Sequence, residues 1–402
     1  MSLIVTKFGG SSVANVERVK HVAGIVAQLY DQKNKVVVVV SAQGDTTDEL
    51  IEKALAYNPN PSKREMDMLL STGEQQSAAL LAMTLEGMGY PAISLTGYQA
   101  GFLTSSTHAM AKIRKVDTER VENELDSNNI VVVTGFQGMS RYDNITTLGR
   151  GGSDTSAVAL AASLHADVCK IYTDVDGIYT ADPRKVPGAR KLAEISFDEM
   201  LELASLGAQV LHNRSVEMAK KYSVPLEVLS SLEDKPGTIV KDGIKMENML
   251  IRGVTKDENV ARFTLHGIPN QPGTAFRVFS ALGRKKINID IILQTPEVDG
   301  KQDITFTASA ALKDDIMRVL TEDLADLNAQ RVRCEENVAK VSVVGAGIET
   351  NPGVASTMFE ALRDANINIK MISTSEIKLS VIIDQAMADK AVSAIHEAFF
   401  GN

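Results

Sequence analysis

The residues able to do chemistry gather in two glycine turns. The first is Thr6-Lys7-Phe8-Gly9-Gly10-Ser11-Ser12-Val13, close to the N-terminus. Paired glycines let a backbone curl with its N–H groups inward, making a nest for an anion. Lys7 can set an ammonium over the same spot. The string reads as a phosphate site with its own counter-charge; the plainer reading is a tight strand-to-helix turn beside a surface lysine. The second turn is Thr146-Thr147-Leu148-Gly149-Arg150-Gly151-Gly152-Ser153-Asp154-Thr155-Ser156. Its glycines again allow close backbone approach, now beside a guanidinium, and arginine pairs carboxylates bidentately, which suits an acidic substrate. Asp154 falls at the start of a helical stretch, where capping and a catalytic role are compatible. Lys and Arg turns together in one domain are more specific than either alone.

The elements that must position these turns alternate. Leu3-Ile4-Val5 reads as a strand, and apolar residues at Val16, Val19, Val22, Ile25, Val26 and Leu29 have helical spacing. Lys35–Val40 is nearly all β-branched, as expected of a strand buried on both faces of a parallel sheet. It ends in Ser41 to Leu50, a small, hydroxyl-rich stretch of the kind that meets ligands at the carboxyl end of a strand. Simple N-capping by Thr46 or Thr47 is the alternative. Pro61 to Met88 is rich in helix formers and is expected to break at Ser71-Thr72-Gly73-Glu74. That would put Glu74 in the first turn of a second helix, complementing its dipole or gripping an amino group. Short strands are expected at Ala92 to Leu95 and Ile130 to Thr134, each followed by glycine. A strand from Val168 to Tyr172 runs into the acidic turn Thr173 to Arg184, whose Asp-x-Asp-Gly fragment lacks the spacing and terminal Glu of a calcium-binding EF-hand loop. Helices from Phe197 to Leu206 and Gln209 to Tyr222, then a last strand from Val224 to Leu229, complete about 230 residues. The pattern predicts an α/β domain with a mainly parallel sheet sandwiched by helices.

Composition narrows the class. The chain has 402 residues, enough for two or three domains, with 44% hydrophobic and 23% charged residues. A net charge of -9 argues against nucleic acid and anionic membranes as main partners. Cys169 and Cys334, far apart, imply neither a disulfide framework nor a zinc site. No signal peptide and no long apolar span is evident, so a cytoplasmic enzyme is expected. No Walker loop or protein-kinase motif occurs, and no resident metal site is expected.

The second half repeats itself. Pro272-Gly273 recurs as Pro352-Gly353, Phe279, Ala281 and Leu282 as Phe359, Ala361 and Leu362, and Ile287-Asn288-Ile289 as Ile367-Asn368-Ile369, each 80 residues on. Each unit reads as strand, Pro-Gly turn, helix, Asn-Ile strand, then an alternating strand (Asp303 to Thr307, Lys378 to Ile383), a βαββαβ pattern. The expected limits are a catalytic domain over 1–232, a linker over 233–249, and two modules over 250–334 and 335–402.

Across these strings the chain resembles the aspartokinases of the amino-acid kinase family: Lys7 to Val13, Arg64-Glu65-Met66-Asp67 to Gly73-Glu74, Thr147 to Thr155, and Thr173 to Pro183. The resemblance implies transfer of the ATP γ-phosphate to the side-chain carboxylate of L-aspartate, with Mg²⁺ on the phosphates, opening the route to lysine, threonine and methionine. It implies that Lys7, Phe8, Gly9, Gly10 and Ser11 hold the transferring phosphate. Ser41, Thr47, Glu74, Arg150 and Asp154 would surround aspartate, and Asp154 would orient Lys7. Thr173, Asp174, Tyr179 and Arg184 would line the nucleotide pocket. The family often has a lysine where this chain has Gln209, a departure that bears on one cationic contact; Gln209 and Val210 stay among the nucleotide candidates.

The repeats resemble ACT domains, ferredoxin-like modules that bind amino acids at paired interfaces. By that resemblance the effector candidates are Asn270, Gly273, Ala275, Asn288, Ile289, Gln294, Asn368, Ile369 and Ser375. Lysine and threonine are the expected feedback ligands, and a tandem dimerisation module without ligand is the alternative. The resemblance also implies a homo-oligomer. Met246 or Met249 could start a separately translated regulatory subunit. Two other functions compete: another amino-acid kinase, acting on glutamate or a related carboxylate, and an amino-acid sensor with a degenerate kinase half.

Overall fold

Apolar runs at the N-terminus build the centre of a large sheet. β1 (Leu3–Phe8) pairs in parallel with β2 (Lys35–Val40), whose five valines are all fully buried. The computed structural model describes residues 2–206, 210–242, 251–296, 298–348 and 350–401. Gln209, Met246 and Met249 lie outside them.

Between these strands runs α1 (Val16–Asp31), and after them α2 (Thr46–Tyr57) and α3 (Lys63–Gly87). Next come β3 (Ala92–Leu95), β4 (Phe102–Thr104), β5 (Ile113–Val116), α4 (Glu119–Asp126), β6 (Ile130–Thr134), β7 (Gln137–Ser140) and β8 (Ile145–Thr147). Then α5 (Gly152–Ser163), β9 (Val168–Thr173), β10 (Glu194–Ile195), α6 (Phe197–Ser205), α7 (Asn213–Tyr222), β11 (Leu226–Ser230) and β12 (Thr238–Val240) follow. The eight-stranded sheet has the order β10-β12-β11-β9-β1-β2-β6-β3 and is parallel except between β11 and β12. The mainly parallel α/β reading therefore holds.

Four local expectations are corrected. The Pro61–Met88 stretch does not break: α3 is one helix of 25 residues, so Glu74 sits mid-helix rather than in a first turn. Gly73 is there for close approach, since a Cβ on it would lie 2.8 Å from the Ala42 side chain. Gly9 and Gly10 do not open α1 either: Gly10–Val13 is a 3-10 turn, and α1 starts later, capped by Asn15 accepting from the Arg18 N–H at 3.0 Å. Val210 to His212 precede the helix expected from Gln209, because the His212 ring accepts from the Arg214 N–H and so caps α7. Finally, β11 is not the last strand, as β12 folds back on it, and a separate small sheet β5-β4-β7-β8 was not foreseen.

The C-terminal unit is one antiparallel six-stranded sheet, in the order β14-β15-β13-β16-β18-β17. It is built from β13 (Gly253–Pro269), α8 (Thr274–Arg284), β14 (Ile292–Gln294), β15 (Lys301–Ala308), α9 (Lys313–Arg318), β16 (Arg331–Val344), α10 (Gly353–Asp364), β17 (Met371–Thr374), β18 (Lys378–Asp384) and α11 (Ala388–Phe400). The 80-residue repeat is thus real in three dimensions as two ferredoxin-like modules. The Asn-Ile strings precede rather than form the strands β14 and β17.

Packing does not follow contiguous limits. β13 and β16 each run through both modules. Ile251 and Val254 pack in one core with Val341, Met358 and Ile395, whereas Ala261, Phe263 and Leu265 pack in another with Phe306 and Leu320. Thr180–Arg190 also belongs to this unit: Ala181 and Val186 enter the first of those cores, the Thr180 hydroxyl meets His396 Nε2 at 2.8 Å, and Arg190 donates to the Phe400 carbonyl at 2.7 Å. Among the described residues no helix is long and apolar enough to cross a membrane.

Candidate active site

The carboxyl ends of β1 and β2 open a cleft. Past their last paired residues the chains stay stitched, Ser41 N–H to the Phe8 carbonyl at 3.1 Å and Gly44 N–H to the Gly10 carbonyl at 3.0 Å. A Cβ on Gly10 would lie 2.6 Å from the Ala42 carbonyl oxygen, so only glycine lets these turns meet. The start of α5 closes the other side. Gly149 (φ 80°) and Gly151 (φ 68°) place Arg150 between two left-handed residues, and a Cβ on Gly151 would strike the His212 ring at 2.3 Å.

The result is a cavity of about 310 Å³ lined by Lys7, Gly9, Gly10, Ser41, Thr47, Glu74, Arg150 and Asp154, together with Ala42, Gly44, Phe136, Gly149 and Gly151 to Ser153. Every expected aspartate-site residue is therefore brought together with three of the expected phosphate residues, Lys7, Gly9 and Gly10. Lys7 Nζ lies 2.7 Å from Asp154 Oδ1, both side chains nearly buried. Arg150 is exposed at the mouth.

Glu74 is the unusual group. It is 3% exposed, its Oε1 accepts the Ala42 N–H at 3.2 Å, and its Oε2 has no hydrogen-bond partner. Burial pushes its carboxyl up from 4.5 to about 7, against the pull of hydrogen bonds from its own N–H and that of Ala42. A buried acid with one oxygen free and facing a cavity is a receptor for a cationic donor.

Other expected residues lie elsewhere. Phe8 is fully buried and stacks on Tyr172 at 4.5 Å, so its side chain builds the core and only its backbone reaches the cleft. Ser11 is exposed outside the lining, while its neighbour Ser12 donates to Ser231 at 2.8 Å. Thr173 ends β9 and Asp174 follows it, beside the end of β1, and the Thr173 carbonyl accepts from the Ser231 N–H at 2.8 Å. Tyr179 donates to Asp176 at 2.8 Å; Arg184 is exposed, pairs with Asp182 at 3.0 Å, and sits in the segment that packs with the C-terminal unit. Val210 is partly buried. Phe136, which also lines the cavity, is not among the sequence candidates; its only signal is its place next to Gly135 after the buried strand β6, and it adopts a left-handed φ of 68°. Among the described residues no cluster of three or more His, Cys, Asp or Glu is placed to hold a metal ion.

The effector candidates fall in both modules. Gly273 is left-handed at φ 93° and precedes α8, Ala275 and Ile289 pack on the first module's core, and the Asn270 N–H donates to the Gly300 carbonyl at 2.9 Å. Asn288 and Asn368 are exposed, Gln294 donates to Gln302, Ile369 packs on the second module's core, and the Ser375 N–H donates to the Lys378 carbonyl at 2.8 Å.

Residues 2–230 match the amino acid kinase family, and residues 341–399 match the ACT domain. The chain is 50% identical to an aspartokinase of Bacillus sp. (strain MGA3) and 51% identical to one of Mycolicibacterium smegmatis, over 99% of its own length and 97% and 96% of theirs. Its fold matches that of E. coli aspartokinase III solved with aspartate and ADP, at 30% identity and a TM-score of 0.83, covering 99% of this chain and all of that one. The same enzyme solved with lysine and aspartate matches at 28% identity and a TM-score of 0.76, covering 99% of both chains.

Proposed function

The chain belongs to the aspartokinases of the amino acid kinase family, and on that premise we propose how its cleft performs their reaction. It transfers the γ-phosphate of ATP to the side-chain carboxylate of L-aspartate, giving 4-phospho-L-aspartate and ADP. This is the first step toward lysine, threonine and methionine, and the ACT modules make it subject to feedback.

Both reactants are anions, so the barrier is repulsion and misalignment. The aspartate carboxylate is already a nucleophile and needs no general base. A loose phosphoryl-transfer transition state spreads charge over the equatorial oxygens, where positioned cations and backbone N–H groups stabilise it. Lys7 holds the transferring phosphate with the backbone of Gly9 and Gly10, and Asp154 aims the ammonium through their 2.7 Å pair. Glu74 takes the α-amino group on its unpartnered oxygen, and Arg150 takes a carboxylate, with Ser41 and Thr47 beside them. Thr173, Asp174 and Tyr179 serve the nucleotide. Mg²⁺ enters on the ATP phosphates, as is usual for a cation that keeps its waters and needs few protein ligands; it offsets phosphate charge there, and we assign it no residue.

The observation that carries this reading is the convergence of Lys7, Asp154, Glu74 and Arg150 on one cavity. Assaying aspartate against succinate, which lacks the amino group, tests it. Glu74→Gln should abolish the preference for aspartate; a preference that survives the change removes Glu74 from the amino site.

Lysine and threonine act as feedback ligands at Asn270, Gly273, Ala275, Asn288, Ile289, Gln294, Asn368, Ile369 and Ser375. The structure with lysine of E. coli aspartokinase III supports the first of these ligands. A homo-oligomer in the cytoplasm is the working form. The exposed apolar Ile292 and Leu293 of the edge strand β14 support pairing with another copy.

A further inference from the structure

Asp67 lies on α3, seven residues and two turns before Glu74, roughly 10 Å along the same buried face. It is fully buried, yet its carboxylate is not idle. It accepts the Thr147 hydroxyl at 2.6 Å and the Ala109 N–H at 3.1 Å on both oxygens, and it meets His108 Nδ1 at 2.7 Å. Those partners come from two segments that grip each other: the Ala111 N–H donates to the Thr147 carbonyl at 2.9 Å, and a Cβ on Gly149 would lie 3.0 Å from the Ala109 carbonyl. Ala109 itself is held at a left-handed φ of 67°, a conformation alanine adopts only when its surroundings impose it. Arg214 closes the arrangement from the far side, donating to the Leu148 and Ala111 carbonyls at 2.9 Å each.

We propose that Asp67 is a positioning residue for the acidic substrate: through Thr147 and Ala109 it fixes the loop that carries Arg150 at a set span from Glu74. One rigid helix then holds both ends of the amino-acid site, Glu74 directly and Arg150 by way of Asp67. That span measures the substrate, so it separates aspartate from glutamate, one methylene longer. The inference rests on the reading that Arg150 takes a carboxylate and Glu74 the amino group. A fully buried carboxylate meeting three groups, on the 108–109 segment and at the end of β8, is a large electrostatic commitment, and its effect falls on the substrate side of the cleft.

The test compares Asp67→Asn, Thr147→Val, Thr147→Ser and Arg150→Ala by steady-state kinetics in the full chain. Misplacing a substrate clamp by about an ångström costs on the order of 100-fold. Asp67→Asn and Thr147→Val should therefore raise KM for aspartate about 10-fold or more, leave KM for ATP within about twofold, and reduce the preference for aspartate over glutamate in kcat/KM. Thr147→Ser, which keeps the hydroxyl, should restore all three. If Asp67→Asn does not fold, Thr147→Val and Thr147→Ser decide. Unchanged aspartate KM in these variants, or equal rises for aspartate and ATP, overturns the proposal while Arg150→Ala still raises the aspartate KM. If Arg150→Ala leaves that KM unchanged, the reading of the cleft fails and the proposal with it.

Discussion

Glu74→Gln is the sharpest perturbation of the cleft. Raising the carboxyl from 4.5 to about 7 disfavours its charge by about 3 kcal/mol, and at 3% exposure solvent screens little of that. The folded protein holds this proton more tightly than the unfolded chain does. The cost to stability is therefore absent below 4.5, grows as pH rises toward 7, and is fully present above it. Glutamine keeps the shape and removes the titration. The variant should gain on the parent by about 3 kcal/mol between about pH 5 and about pH 8, read by denaturant unfolding without ligand. Binding reports the same group with the opposite sense. A substrate ammonium favours ionised Glu74, so aspartate affinity of the parent should fall about tenfold for each pH step below 7. In Glu74→Gln the affinity should be lower by about 2–5 kcal/mol, the cost of unpairing a buried charge, and flat with pH. Calorimetric titration of aspartate across this range decides. A flat profile in the parent, or a slope that persists in the variant, refutes the assignment.

Lys7→Ala should lower kcat by about 10²–10³-fold with an unchanged circular dichroism spectrum; normal turnover would remove the phosphate site from Lys7. Gly151→Ala puts a Cβ 2.3 Å from the His212 ring at φ 68° and should destabilise by at least about 2 kcal/mol in denaturant unfolding. Gly24→Ala, in α1 with nothing within 4 Å of its Cβ, should instead stabilise by about 0.5–1 kcal/mol. Asn368→Ala should weaken inhibition by lysine plus threonine and spare uninhibited turnover; an unchanged inhibition curve would remove Asn368 from the effector site.

What the chain discloses and what it hides follow from range. The five valines of β2 and the glycine turns around Lys7 and Arg150 are local signals, and the residues they point to do meet in one cavity. Glu74 was found for a wrong local reason. Gly73 looked like a helix break, yet it is the contact that lets an unbroken α3 approach Ala42, a fact that depends on a strand some 30 residues earlier. Ser11 and Phe8 share the motif but face other ways, because a 3-10 turn and the stacking of Phe8 on Tyr172 redirect them. Asp67 belongs to the Arg64 to Glu74 string, but nothing local separates it from its neighbour Glu65; its four contacts come from segments 41 to 80 residues distant. Contiguous domain limits could not anticipate Thr180–Arg190, whose Ala181, Val186 and Ala189 join a core far along the chain.

This cleft phosphorylates the side chain of L-aspartate. Incubating the full chain with ATP, Mg²⁺ and L-aspartate in hydroxylamine traps the acyl phosphate as a hydroxamate, releasing inorganic phosphate. Hydroxamate should form in step with ADP from L-aspartate, fall sharply with succinate or glutamate, and vanish in Lys7→Ala. ADP without hydroxamate, or equal yields from all three acids, would contradict the account.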